Sequence, residues 1–352
     1  MLVVLLASGW LSAQTPEGER IRELELRSAG GGVELMYSPS SEGRALRWQR
    51  SLAAGQDWFQ KQLKLQVPVT LVVLNREDWK EVTPQPLPMA LAPDRMIVFP
   101  EHVEDIWAGA PKELDVVVAS EAGLFHHAGV LFADSYNLDS NAFISDLFAN
   151  IFLAGYVRAA RPDMAFLLNG PFPGMKTPRY TSGGDLMYAG ADMRPENLFW
   201  LELQIQRLAD FCVKRQSFAS VVEKLRTAFP AVHPRHVTIG DAMTRMEALF
   251  PGFRAAAGPL GDPPTMTPVR ASACKDAAKT GGAMQEQRWM VVRNDTAAPV
   301  ELMRPDGTKW QVNAYAWRRV GLPAGTALRM PDGSCLATGE NREPMLAILD
   351  KQ

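Results

Sequence analysis

The chain has 352 residues, 47% of them hydrophobic and 22% charged, with a formal net charge of −2. That length supports two domains with cores of their own, and the composition is that of a folded protein. A near-neutral chain without a dense Lys/Arg patch is no dedicated nucleic-acid binder, and neither a G-x-G-x-x-G nor a P-loop pattern is present to cradle phosphates.

Leu2 to Leu11 form a short apolar run that gives way to Ser12, Ala13, Gln14 and the polar Thr15-Pro16-Glu17. The run falls well short of the ~20 residues a spanning helix needs. It reads as a secretory signal over residues 1–14, cleaved near Ala13 or Gln14, although the usual basic start is missing. No later stretch reaches about 18 uninterrupted apolar residues, so the mature chain is not expected to be an integral membrane protein. "VELMY", 33–37, reads as a strand. Ala45, Trp48, Leu52, Phe59 and Leu63 then fall at helical spacing, with Ser41 as the expected N-cap. "PVTLVVL", 68–74, is a buried strand by its β-branched content. A proline-rich loop, "TPQPLPMALAPD", leads to a third strand, "RMIVFP", at 95–100.

After Asp115 the pattern turns helical. Two apolar helices are expected over 116–134 and 142–160, joined by a turn around Asn137 to Asn141. The loop "NGPFPGMKTPRYTSGGD" is too rich in proline and glycine for regular structure. Helix resumes over about 196–228 and again over 238–249, with Thr238 as its cap. "GPLGDPPTMTP", 258–268, opens a linker that runs to 284. Beyond it the runs "RWMVVRN", "PVELMR", "KWQVN", "WRRVGL", "TALRM", "SCLAT" and "MLAIL" are short strands. Two Pro-Asp-Gly turns, at 305–307 and 331–333, separate some of them. This pattern is that of a small sandwich or barrel over 285–352.

The chemistry concentrates in "FHHAGVLFADSYNLDSNAFISDLFANIF", 125–152. Two histidines four apart on one helix face can grip a zinc ion, and a glutamate beside the first can activate the metal-bound water. Here the histidines are adjacent, so they point about 100° apart and do not form that pair. An acidic residue, Asp146, follows on the second helix.

With the strand–helix–strand–strand order before it, the run from 33 to 250 resembles the gluzincin metallopeptidase-like proteins that bacteria export, also called peptidase-MA-like. That resemblance implies an α+β fold: a small N-terminal sheet with a helix, then a helical active-site-like region, together spanning 15–257. It implies a zinc site read from H-E-x-G-H and a later acid. Carried over residue by residue, His126 matches the first zinc histidine and His127 stands where the general-base glutamate belongs. Ala128 and Gly129 fit the next two places, Val130 replaces the second zinc histidine, and Asp146 matches the third ligand, one methylene shorter. A second register lays Ser120 to Leu124 on the motif. It keeps the base position at Glu121 and loses both histidines to Ser120 and Leu124. Neither register completes a zinc triad. No cofactor is expected on this reading, the alternative being a weakly held zinc.

Other candidates are His233 and His236, three apart around a proline, and His102. Tyr180 lies in the glycine-rich loop and Tyr188 just after it in "GDLMY", 184–188, and "YAWRR", 315–319, lies in the β region. Each has an ordinary packing or loop reading. No G-x-S-x-G elbow is present, which argues against a serine hydrolase of that type. Of the three cysteines, Cys212 sits in an apolar helical context. Cys274 and Cys335 lie at or beyond the linker and are expected to pair in an exported chain.

The reading that follows is a periplasmic or secreted protein with a degenerate zinc motif and no catalytic residues. It would bind a protein or peptide partner in the cell envelope, with no role for nucleic acid. The alternative is a metal-dependent hydrolase with an unconventional site around His126 and Asp146. A third is a structural module of an exported assembly. Oligomeric state is left open.

Overall fold

The computed structural model describes residues 15–83, 88–105, 115–136, 142–169, 195–229, 239–261, 269–274, 287–294, 296–313, 317–338 and 345–349. The fold is mixed α+β. It divides into two compact units, one drawn from Met1–Tyr136 and Phe148–Leu167, the other from Asn137–Leu147 and Leu168–Gln352.

The first unit is built on a five-stranded sheet. Its strands are β1 (Arg27–Ala29), β2 (Glu34–Tyr37), β3 (Thr70–Leu74), β4 (Met89–Leu91) and β5 (Met96–Pro100), in the order β1-β2-β3-β5-β4. β2, β3 and β5 run parallel, and β1 and β4 are antiparallel edges. The central strands are apolar without alternation because both faces are covered. On one face, Val72, Leu74, Met96 and Val98 pack with Ile21 of α1 (Pro16–Glu23) and with Trp79 and Val82 of α3 (Arg76–Val82). On the other lie α2 (Glu42–Leu63) and α4 (Val116–Ser135), where the Trp48 ring meets Phe99 edge-on at 5.3 Å.

The segment order expected from the sequence is present but incomplete. α1, β1 and α3 were not foreseen, and "MAL", assigned to the proline-rich loop, is the edge strand β4. α3 is seven residues long, too short to reveal a helical period, and its start is fixed by Asn75, whose side chain accepts from the amides of Glu77 and Asp78. α1 is held through Asp94, which accepts from both the amide and the hydroxyl of Thr15 and pairs with Arg22. Ser41 precedes α2, but its hydroxyl makes no capping bond; it donates to Glu101 at 2.8 Å.

α4 and α5 (Ala142–Ala160) occupy the two expected apolar helical runs. Asp115 caps α4, accepting from the amides of Val117 and Val118 at 3.0 and 3.1 Å. By length and composition α4 could cross a membrane. Leu124, Phe125, Ala128, Leu131 and Phe132 have no exposure, so it is packed as a core helix. Within this unit α4 and α5 touch at Gly129, where an added Cβ would lie 2.7 Å from Phe152 Cβ and 2.8 Å from the Ala149 carbonyl oxygen.

In the second unit the single helix expected over 196–228 is two: α6 (Pro195–Val213) and α7 (Phe218–Ala228). Ser217 opens α7 by accepting from the Ser220 amide, so a polar cap interrupts a continuous apolar pattern. α8 (Ile239–Leu249) and α9 (Phe253–Ala257) follow. Thr238, the expected cap of α8, lies outside the described residues, as do the turn around Asn137 to Asn141 and most of the linker.

The seven short strands read from the sequence are all present: β6 (Gln287–Asn294), β7 (Val300–Met303), β8 (Lys309–Val312), β9 (Trp317–Pro323), β10 (Ala327–Arg329), β11 (Cys335–Ala337) and β12 (Met345–Leu349). They form a four-stranded sheet, β11-β10-β7-β8, and a three-stranded sheet, β12-β6-β9. Met290, Val292, Val320, Leu322 and Ala347 from one sheet share a core with Leu302, Trp310, Val312, Leu328 and Leu336 from the other. Asp306 and Asp332 accept from the amide and hydroxyl of the residue two on, and Gly307 and Gly333 take positive φ between them. Both Pro-Asp-Gly turns are thus Asx turns. Cys274 and Cys335 are disulfide-bonded, as expected, and Cys212 is a buried free thiol.

Candidate functional site

α4 carries both histidines in its middle, where its packing fixes their directions. His127 has its ring edge-on to Phe99 at 5.6 Å and to His126 at 5.1 Å. Its Nδ1 is shut off from solvent and has no hydrogen-bond partner. Burial pushes its pKa well below the usual 6.5, and the His126 imidazole pushes the same way. The His127 ring as a whole is half-buried, packed against Phe99 of the sheet. Val130, one turn beyond His126, is half-buried and offers no lone pair. His126 and Asp146 are both half-buried.

The second register fares differently. Glu121 is buried, and its Oε1 accepts from Arg161 at 2.7 Å and from the Ser51 hydroxyl at 2.6 Å. Arg47 lies 3.9 Å from Oε2. Arg161 also grips Asp163, and these bonds together hold its guanidinium firmly protonated. Ser120 donates to the Val116 carbonyl, and Leu124 is fully buried. A carboxylate paired in this way is an internal ion pair, committed to holding α2, α4 and the end of α5 together.

Within the second unit, Asp146 and Glu202 of α6 each offer a carboxylate oxygen, and the two lie within 4.8 Å of each other. Two oxygens are one short of the three protein ligands of a catalytic zinc centre. Glu202 also accepts from Gln206 at 3.2 Å. It was missed because the motif directs attention to 126–146. The sequence does carry a signal: Glu202 stands three and seven residues before Ile205 and Ala209, both buried, so an acid falls at the border of an apolar helix face.

His102 is half-buried just before a short 3-10 turn at Val103–Asp105. His233, His236, Tyr180 and Tyr188 lie outside the described residues, as do Tyr315 and Ala316. The sequence matches no protein-family model, and no curated protein matches it.

Proposed function

We propose that this chain is a metallopeptidase-like protein that does not hydrolyse peptides and acts by binding a protein or peptide partner in the cell envelope. The observation that carries this reading is the state of His127. A general base needs access to the proton it takes. The residue in that position is not a carboxylate but a half-buried imidazole, packed against Phe99 and His126 with its Nδ1 closed to solvent. Val130 supports the same reading, since an aliphatic side chain cannot hold a metal. Export is supported by the Cys274–Cys335 disulfide, which is compatible with an oxidising compartment.

The test is peptide hydrolysis by the purified chain with zinc supplied, against a triple variant, His127→Glu, Val130→His and Asp146→Glu. The unmodified chain is expected to be inactive and the variant to gain zinc affinity. A folded variant with no gain would sink either the register that starts at His126 or the gluzincin-like assignment; hydrolysis by the unmodified chain would sink the non-catalytic reading.

A second reading, a metal-dependent hydrolase, is favoured by Asp146 and Glu202, which bring two carboxylate oxygens within 4.8 Å of each other. Oxygen donors of this kind can hold a zinc ion, which would supply Lewis-acid chemistry when bound. Metal analysis decides between the readings. One zinc per chain, lost both on His126→Ala and on Glu202→Gln, together with hydrolysis, would replace the first reading with the second.

A further inference from the structure

Residues 269–274 precede the β region and pair with strands of both its sheets. Val269 pairs in parallel with Ala347 of β12, and Ser272 pairs antiparallel with Cys335 of β11. β12 and β11 are edge strands, each lying at one end of its sheet's order. A single short segment therefore covers an edge of each sheet. Val269 and Ala271 also lie partly buried against the shared core.

The non-covalent hold on this segment is slight. Ser272 and Cys335 exchange two backbone hydrogen bonds, at 3.0 and 2.8 Å, and each pairing is an isolated bridge with no ladder around it. The hydrogen bonds of two isolated bridges and the partial burial of two small side chains do not match the entropy of fixing six residues. Among the described residues the remaining tie is covalent, from Cys274 to Cys335. The strands beneath depend on it far less. β12 pairs with β6 over five residues, and β11 pairs with β10 over three.

The geometry points to a redox-operated cover: the Cys274–Cys335 bond keeps 269–274 on the two sheet edges, and its reduction by a dithiol releases the segment while the sandwich stays folded. The chemistry is ordinary exchange. A dithiol gives two electrons and two protons to the sulfur–sulfur bond, leaving two cysteine thiols and a cyclic disulfide of the reductant. Cys212 does not intervene, because its thiol is buried. Released edges present unpaired backbone groups, which pair readily with another extended strand.

Hydrogen exchange on the full chain, with and without dithiothreitol, tests this. Amides of 269–274 and Cys335 should exchange at least ten-fold faster after reduction, while Met290–Val292 and Trp310–Val312 keep their protection. A Cys274→Ser, Cys335→Ser double variant should show the same pattern without reductant. Unchanged exchange at 269–274 would overturn the proposal, and so would loss of protection at all these sites together.

Discussion

Glu121 shows how much a single buried side chain decides. Read from the sequence, it could be a general base; in the fold it is the acceptor for Arg161 and Ser51. Breaking a buried pair by removing one partner leaves the other unmatched, at ~3–5 kcal/mol. Arg161 is a quarter exposed and retains Asp163, so the cost falls at the lower end. Glu121→Ala should lower the stability of the first unit by about 3 kcal/mol in urea unfolding. A variant as stable as the parent would show that the carboxylate contributes nothing to holding α4. Activity measurements alone would be misleading, because a stability loss of that size reduces the folded fraction whatever the chemistry.

The contact of α4 with α5 at Gly129 shows the same logic at the level of elements. Alanine in a helix is favoured over glycine by ~1 kcal/mol. At Gly129 the added methyl would meet backbone and Phe152, and overpacking costs ~1–3 kcal/mol. The clash wins, because backbone atoms cannot turn away as a side chain end can. Gly129→Ala should therefore destabilise by about 1 kcal/mol net, read as a lowered thermal midpoint. A raised midpoint would mean that the helices move apart freely. Elements of this kind were also the legible ones. α4, α5 and all the strands of the β region follow from periodicity, turn residues and length. α1, α3 and β4 did not, because three to eight residues carry too little period and their ends are set by contacts such as Asp94 with Thr15. The candidate site was less legible: the Glu202 carboxylate lies beside Asp146 although it comes from α6, dozens of residues further on, and local spacing cannot announce it.

At the scale of the whole chain, the expected boundary between the helical region and the β region, 258–284, remains a proposal with a direct test. Limited proteolysis should cut first within that stretch, and preferred cutting inside 116–160 would contradict it, since most of α4 and α5 is buried. The disulfide changes how that experiment must be read. It joins positions 61 apart in sequence, so the chain between Cys274 and Cys335 is a closed ring carrying two tails. A protease that cuts the ring once, anywhere from 275 to 334, produces no separate fragment. The nicked protein runs as a single piece until the sulfur–sulfur bond is reduced, and only then divides in two. A cut before Cys274 separates the pieces at once. Paired gels, with and without reductant, therefore tell on which side of that residue the first cut fell.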